Sequence, residues 1–215
     1  MRPERILLIV ILLFAMGAPA HAAQVLDEWS FEDAVLHSVD NLDDGDYWGP
    51  GLWHGHNASL VSSGAADDNS YAQLAAEDGF IYQVTEHVGG TSGSLYADFS
   101  LKMPSTESVL VYFFGSNQAD PNPSDFGFLG AGSAAGEGDV WDPVSTFITA
   151  EAGYDYYMLM IDNYANTSAA GIDAVSFTVP VAVPIPGAAL LLGSGLLGLV
   201  GWRRTRRAQS GPKSS

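Results

Sequence analysis

YDYYMLMIDN at residues 154–163 and SVLVYFF at residues 108–114 are two apolar runs in the middle of the sequence. They are rich in aromatic, β-branched and long aliphatic side chains, many of which favour β-strands. Neither run alternates strictly between apolar and polar residues, as a strand with one solvated face does. The two runs therefore predict central strands of a sheet whose faces are both largely covered.

Other short β-prone runs surround these two, separated by the turn-forming residues Gly, Asn, Asp, Ser and Pro. No long helical period is present, and no repeat of about 20 to 50 residues predicts a solenoid. We therefore predict an all-β fold, a two-sheet jelly-roll-like sandwich over residues 23–180. The predicted strands are residues 24–32, 58–62, 71–74, 79–84, 94–103, 109–116, 144–149, 156–163 and 171–179.

Charge is distributed very unevenly along the 215 residues, whose net charge is −17. Between residues 24 and 180 a single basic residue, Lys102, stands against 24 Asp and Glu, a net charge of −23. Such a surface is repelled by nucleic acid and by anionic lipid, which argues against nucleic-acid binding. It indicates either a solvated acidic surface or one that attracts divalent cations.

The first 22 residues have the pattern of a secretory signal peptide. Arg2 and Arg5 precede an apolar core at residues 6–14, and Ala20-His21-Ala22 forms a small-residue cleavage pattern. We predict cleavage after Ala22, with Ala20 and Ala23 as alternative positions. The rest of the chain is then exported.

Residues 187–202 form a second apolar run, uncharged and rich in Leu, Gly and Ala. The run is short for a bilayer span, but local thinning and snorkelling side chains compensate. The preceding Val183-Pro184-Ile185-Pro186 is extended, because each proline disfavours helix at the residue before it. We predict a single transmembrane helix within residues 181–215, oriented by the positive-inside rule. The cluster that retains the tail in the cytoplasm is Arg203, Arg204, Arg206 and Arg207.

This order of elements resembles the PEP-CTERM sorting signal of Gram-negative bacteria, in its VPLPA-type variant. Val183, Pro184 and Pro186 match the motif, whereas Ile185 stands in place of Leu and Gly187 in place of Ala. The resemblance implies export, membrane retention, cleavage near the motif by a cysteine-dependent exosortase, and delivery to the cell surface or extracellular matrix. An ordinary single-pass tail anchor is the alternative.

WSFED at residues 29–33, with IDN at 161–163 and GIDAVSF at 171–177, resembles the first and last strands of galactose-binding-like jelly rolls, which include many carbohydrate-binding modules. In that family a calcium ion often ties these strands together through an early acidic residue and a late Asp. The resemblance places Glu32 and Asp173 at those positions, and oxygen ligands in an acidic setting suit Ca²⁺. Solvated carboxylates at strand ends are the alternative.

Residues 47–56 bring together aromatic and imidazole side chains. Trp48 and Trp53 predict either a platform on which a sugar stacks or a filled end of the core. His54 and His56 share one side of an extended chain and are a candidate metal pair, but no third ligand stands at a readable spacing. The acidic run at residues 40–46 lacks the ligand register of an EF-hand and predicts a turn.

Signatures of catalysis are absent from the sequence. The chain has no cysteine, which excludes disulfides, thiolate nucleophiles and Cys-ligated metal centres. It has no GxSxG elbow, HExxH motif or P-loop, and no GxGxxG between a strand and a helix. We therefore expect a non-enzymatic exported protein of the cell surface or of an exopolysaccharide matrix. A carbohydrate-binding module and a glycan-active hydrolase with paired carboxylates are the alternatives.

Overall fold

The computed structural model describes residues 22–24, 31, 35–39, 51–66, 70–87, 90–104 and 106–180, all within the compact unit His21–Ala182. Regular structure in these residues is β, apart from one 3-10 turn at Pro123–Asp125. The strands are β1 (Ala22–Gln24), β2 (Leu36–Ser38), β3 (Trp53–His56), β4 (Ala58–Val61), β5 (Tyr71–Leu74), β6 (Phe80–Glu86), β7 (Gly93–Met103), β8 (Ser108–Ser116), β9 (Gly127–Ala135), β10 (Gly138–Ala150), β11 (Tyr156–Asp162) and β12 (Ala170–Pro180).

The strands form two six-stranded sheets. Sheet A has the order β10-β7-β12-β5-β4, with β1 also paired to β12. Sheet B has the order β2-β3-β6-β11-β8-β9. The paired strands are antiparallel except β2 and β3, which are parallel. The prediction of an all-β, two-sheet sandwich is confirmed.

The two runs predicted as central strands lie side by side in the middle of sheet B, as β8 and β11. In β11 every side chain from Tyr157 to Ile161 is buried, so both faces of this strand are covered. In β8 the inward side chains are buried and most outward ones are half-buried. The prediction of central strands is confirmed, and coverage of both faces is complete only for β11.

The main core lies between the inward faces of the two sheets. Phe177 of β12 joins the two sheets, because its ring centroid lies 5.9 Å from that of Phe113 and 6.2 Å from that of Tyr157. Each buried aromatic or aliphatic side chain of this kind contributes about 1.5–3 kcal/mol by leaving water. In a chain without cysteine, this packing takes the place of disulfides. The aliphatic members include Leu95, Leu101, Val111, Leu159, Ile172 and Val179.

A second apolar cluster covers the outward face of sheet B. Tyr82 and Val84 of β6 pack there beside Met158 and Met160 of β11, and all four are buried together with Val39. The methionines are unbranched and fill irregular space beside rings. This cluster explains why β11 reads as a continuous apolar run rather than an alternating one.

Three strands, β2, β3 and β9, are missing from the predicted set. Six of the nine residues of β9 are Gly or Ala, which carry little preference for strands. The structure requires such residues, because a Cβ atom at Gly132 would overlap the Thr146 hydroxyl of β10 in the facing sheet. Close packing between the sheets therefore requires small residues in β9, and their composition gives no strand signal. In the same region β10 begins at Gly138 rather than at residue 144.

Several predicted features lie outside the described residues. These are residues 1–21 of the predicted signal peptide, the residue 183–186 motif, the apolar run and the arginine cluster, so the roles assigned to them stay predictions. Of the predicted first strand, Gln24 ends β1 and Phe31 is buried in the core. Within the described ranges, no helix is long and apolar enough to cross a membrane.

Candidate functional site

Aromatic and titratable side chains converge on the outward face of sheet B. Alternate residues of a strand point to one face, and the strand register aligns these residues across the sheet into three rows, about 7 Å apart along the strands. The first row is His56, Phe80, Asp162, Leu110 and Ser133, the second is His54, Tyr82, Met160, Tyr112 and Ala131, and the third is Val84, Met158, Phe114 and Phe128.

One half of this face is closed and the other half is open. Over β6 and β11 the second and third rows are buried in the cluster that contains Val39. Over β8 and β9, Tyr112 and Phe114 are half-buried, and Phe128 is 61% exposed. Solvent therefore reaches the rings at the β8–β9 side of the face.

Tyr112, Phe114 and Phe128 form what we call the aromatic patch. The ring centroids lie 6.4 Å apart for Tyr112 and Phe114, 6.4 Å for Tyr112 and Phe128, and 5.8 Å for Phe114 and Phe128. The pairing of β8 with β9 shifts register between Phe113 and Phe114, which sets Phe128 opposite Phe114. Such bulges re-aim side chains at functional surfaces. The patch thus presents ring surface from two strands that are held in a sheet.

Asp162 lies at the end of β11, between Phe80 and Leu110 in the first row. Burial raises the pKa of its carboxyl to about 6; a hydrogen bond from the Tyr164 backbone N–H opposes this rise, and the Asp78 carboxylate adds to it. The same carboxyl and Tyr164 contribute to the raised pKa of Tyr112, after burial of the phenol itself. A half-buried carboxyl therefore adjoins the aromatic patch through Tyr112.

The histidines of β3 both point to this face, as their spacing predicts. His54 is buried against Tyr82, with ring centroids 5.0 Å apart, and burial followed by the nearby His37 lowers its pKa to about 4. His56 stacks on Phe80 at 5.3 Å, and its Nδ1 lies 2.9 Å from the Val39 carbonyl oxygen. No group of three or more His, Asp or Glu side chains that could hold a metal occurs among the described residues.

Trp53 lies on the inward face of β3 rather than at the surface. Its side chain is 1% exposed and its ring centroid is 4.8 Å from that of Phe31. A buried indole offers no face to a sugar, so Trp53 corresponds to the core-filling alternative and not to the sugar platform. Trp48 lies outside the described residues.

Asp173, the candidate calcium ligand of β12, is completely buried. Its Oδ2 accepts a hydrogen bond from the Ala66 N–H at 2.7 Å, and its Oδ1 accepts one from the Ala174 N–H at 2.8 Å. The carboxylate thus fastens the segment after β4 to β12, where the pairing with β7 shifts register. Glu32 lies outside the described residues, so calcium binding stays a prediction.

Comparison with known proteins gives a fold but no family. No family model and no curated protein matches the chain. A solved structure of a putative sugar binding protein from Bacteroides thetaiotaomicron has a TM-score of 0.52 at 14% identity, covering 73% of this chain and 100% of that one. The two proteins therefore share the β-sandwich fold, which agrees with the predicted two-sheet sandwich.

Two further solved structures have lower similarity. The enzymatically active domain of tailspike protein 4 from bacteriophage CBA120 has a TM-score of 0.47 at 8% identity, with 65% of this chain and 21% of that chain covered. The CBM22-1 xylan-binding domain from Paenibacillus barcinonensis has a TM-score of 0.40 at 12% identity, with 66% and 92% covered. This chain spans about a fifth of the length of the tailspike domain.

The residues of the aromatic patch are not among the predicted site residues. Tyr112 and Phe114 are two positions apart in a predicted strand, so their shared face was readable from the sequence. The face on which Phe128 lies could not be read from the sequence, because β9 is not a predicted strand. Asp162 lies in a predicted strand, but its position between Phe80 and Leu110 depends on strand pairing, which the sequence does not give.

We predict that His54 makes the fold sensitive to acid. Because its pKa is about 4 in the folded protein and about 6.5 when unfolded, its contribution to stability is present above pH 6.5 and is lost as the pH falls toward 4. The loss is about 3 kcal/mol. His54→Phe, which keeps a ring against Tyr82, is expected to lose less stability than wild type between pH 7 and 4.5 in urea unfolding.

The exposed neighbour His37 provides the control for this experiment, and His37→Gln should retain most of the wild-type loss. Asp162 acts in the opposite direction, because its raised pKa favours the folded state as the pH falls below 6. The experiment therefore compares the loss of unfolding free energy between wild type and the two variants, because wild type itself contains both effects. An equal loss in His54→Phe and wild type would contradict the assignment.

A second prediction concerns Asp173 and calcium. Asp173→Asn should lower the free energy of unfolding by about 1–3 kcal/mol, because a carboxamide leaves one of the two backbone N–H groups without its acceptor. If calcium binds there, calcium should raise the melting temperature of wild type over a chelator-treated sample, and should raise that of Asp173→Asn less. The matched control is Asp125→Asn, at a half-buried carboxylate in the 3-10 turn. A wild-type melting temperature that calcium leaves unchanged would reject calcium and leave Asp173 a purely structural role.

Proposed function

We propose that residues 23–180 form a carbohydrate-binding module that binds glycan without cleaving it. The proposed binding surface is the open half of the outward face of sheet B, and the aromatic patch is the observation that carries the proposal. Phe128 is 61% exposed and is packed edge-on against Phe114, at 5.8 Å and 65°. An exposed aromatic group in fixed geometry beside polar groups is typical of a ligand surface.

The chemistry of the surface suits a sugar. A pyranose ring has an apolar C–H face, which gains by packing on an aromatic ring, and a rim of hydroxyl groups, which need hydrogen-bond partners. Tyr112 supplies a ring with a hydroxyl, and Asp162 supplies a carboxyl in the adjacent row. Because these groups belong to paired strands, their spacing is fixed before a ligand arrives. The fold shared with the putative sugar binding protein supports the same conclusion.

The first and third rows are about 14 Å apart along the strands. Asp162 lies in the first row and Phe128 in the third, with Tyr112 in the row between them. A ligand that reaches from Phe128 to Asp162 is longer than one sugar ring. The proposed ligand is therefore an oligosaccharide or a polysaccharide.

A glycan-active hydrolase is the second candidate, and one observation favours testing it. Asp162 has a pKa of about 6 in a half-buried, aromatic setting, with Asp78 nearby, and a raised pKa is what a general acid requires. Binding assays on this protein should therefore be accompanied by a measurement of released reducing ends. Release that is lost in Asp162→Asn would favour the hydrolase over the binding module.

We further propose that the module is exported and is displayed at the surface or in the matrix of a Gram-negative bacterium. This proposal rests on the sequence: the signal peptide, the Val183–Pro186 motif, the apolar run and the arginine cluster stand in the order of an exosortase-type sorting signal. A module for extracellular glycan needs such a route out of the cell. The partners are an exosortase and the membrane during sorting, and polysaccharide afterwards.

Phe128→Ala is expected to weaken glycan binding at least about tenfold, because it removes the most exposed ring of the aromatic patch. The measurement is affinity gel electrophoresis and calorimetry with β-1,4-galactan, mixed-linkage β-glucan and galactomannan. Phe147→Ala is the matched control, since Phe147 of β10 is also 61% exposed but belongs to sheet A. Equal binding by both variants, or no binding by wild type, would refute the proposed site.

Deleting residues 183–215 tests the sorting proposal in cells of a species that has an exosortase. The truncated chain is expected in the medium, because it retains the signal peptide but has lost the membrane segment and the arginines. The full-length chain is expected at the cell surface without its tail, as judged by mass spectrometry of the released protein. A truncated chain with the same location as the full-length chain would contradict sorting by this segment.

A further inference from the structure

Among the described residues, carboxylates lie near the aromatic patch, and no Lys or Arg lies on the outward face of sheet B. Asp162 and Asp78 lie at one end of the face, and Glu86 is exposed at the end of β6. Between residues 24 and 180 the single basic side chain is Lys102. Its Nζ lies 5.9 Å from the ring centroid of Trp141 on the outward face of sheet A. Lys102 is therefore on the opposite side of the sandwich.

His56 is the imidazole of the first row, and both of its ring nitrogens have polar neighbours. Its Nδ1 lies 2.9 Å from the Val39 carbonyl oxygen and its Nε2 lies 3.0 Å from the Asn57 Nδ2. The Val39 carbonyl and the Asn57 side chain thus occupy the two ring nitrogens of His56. Its distance to the Asp78 Oδ2 is 3.8 Å. The phenol of Tyr112, whose pKa is raised by burial and then by the Asp162 carboxylate, also supplies no positive charge.

Asp162 itself has free acceptor capacity. Its carboxylate accepts a hydrogen bond from the Tyr164 N–H, whereas a carboxylate has about four acceptor sites. Hydroxyl groups that donate to a charged carboxylate form stronger hydrogen bonds than those to neutral acceptors. A carboxylate or sulfate brought to the same place meets a like charge in a half-buried setting, where water screens it poorly.

Resting on the glycan-binding function proposed above, we propose that the site selects uncharged glycans over anionic ones and that Asp162 is the residue that sets this specificity. Its carboxylate accepts hydrogen bonds from hydroxyl groups of a sugar that contacts Tyr112, and it repels uronate or sulfate groups in that position. The substrate class is thus a neutral polysaccharide. Uronic-acid and sulfated polymers are excluded.

The test compares each neutral polymer with its own oxidised form. Galactan, mixed-linkage β-glucan and galactomannan are each oxidised in part at their primary alcohols, which introduces uronate without changing the linkages. Wild type is expected to bind the oxidised polymers at least about tenfold more weakly than the parent polymers. Asp162→Asn should bind the parent polymers about tenfold more weakly than wild type and should discriminate between parent and oxidised forms by less than about threefold.

Asp98→Asn is the matched control, because Asp98 is an exposed carboxylate on β7 of sheet A and its loss changes the net charge equally. Asp98→Asn should prefer parent over oxidised polymers as strongly as wild type does. Equal binding of parent and oxidised polymers by wild type would overturn the proposed specificity while leaving glycan binding intact. The role of Asp162 would be overturned if Asp162→Asn kept the wild-type preference for parent over oxidised polymers. It would also be overturned if Asp98→Asn reduced that preference as much as Asp162→Asn does. Failure of wild type to bind any parent polymer would instead refute the function on which the inference rests.

Discussion

Strand β11, Tyr156–Asp162, carries large apolar side chains on both faces, and the sandwich is arranged to cover both of them. Leu159 and Ile161 point inward to sheet A, whereas Met158 and Met160 point outward to a second cluster. Leaving one face in water would forgo about 1.5–3 kcal/mol for each large side chain. The outward cluster over β11 is therefore part of the stability of the fold. It also closes the middle of the outward face over β6 and β11, so the accessible rings of the aromatic patch lie on β8 and β9.

Hydrogen bonds at the end of β11 hold the carboxyl of Asp162 at the edge of the accessible part of this face. The next residue, Asn163, is buried, and its Nδ2 donates to the Ala75 carbonyl oxygen at 2.8 Å and to the Ser168 carbonyl oxygen at 2.9 Å. Its Oδ1 accepts from the Asn166 Nδ2 at 2.7 Å. These bonds satisfy the polar groups at the strand end and hold the turn that follows it. Asp162 is thus held at the boundary between core and solvent.

Two aspartates at strand positions of the sandwich have different roles because their surroundings differ. Asp173 is completely buried and accepts hydrogen bonds from two backbone N–H groups, so its carboxylate is used within the fold. Asp162 is half-buried beside rings, with a pKa of about 6, and has acceptor capacity to spare. Carboxylates without nearby partners are costly to desolvate, so such a group at an open surface is a candidate for ligand contact.

The sequence by itself determined the fold class, the central strands and the acidity of the protein, because these depend on local composition. The runs at residues 71–74 and 156–163 read correctly as strands, and the absence of cysteine required a core held by packing. Only the tertiary structure decided that Phe128 faces Phe114, that Trp53 is internal and that Asp162 adjoins Tyr112. The physical reason is register: each contact joins strands that are distant in sequence, and a shift of one residue would turn a side chain to the other face.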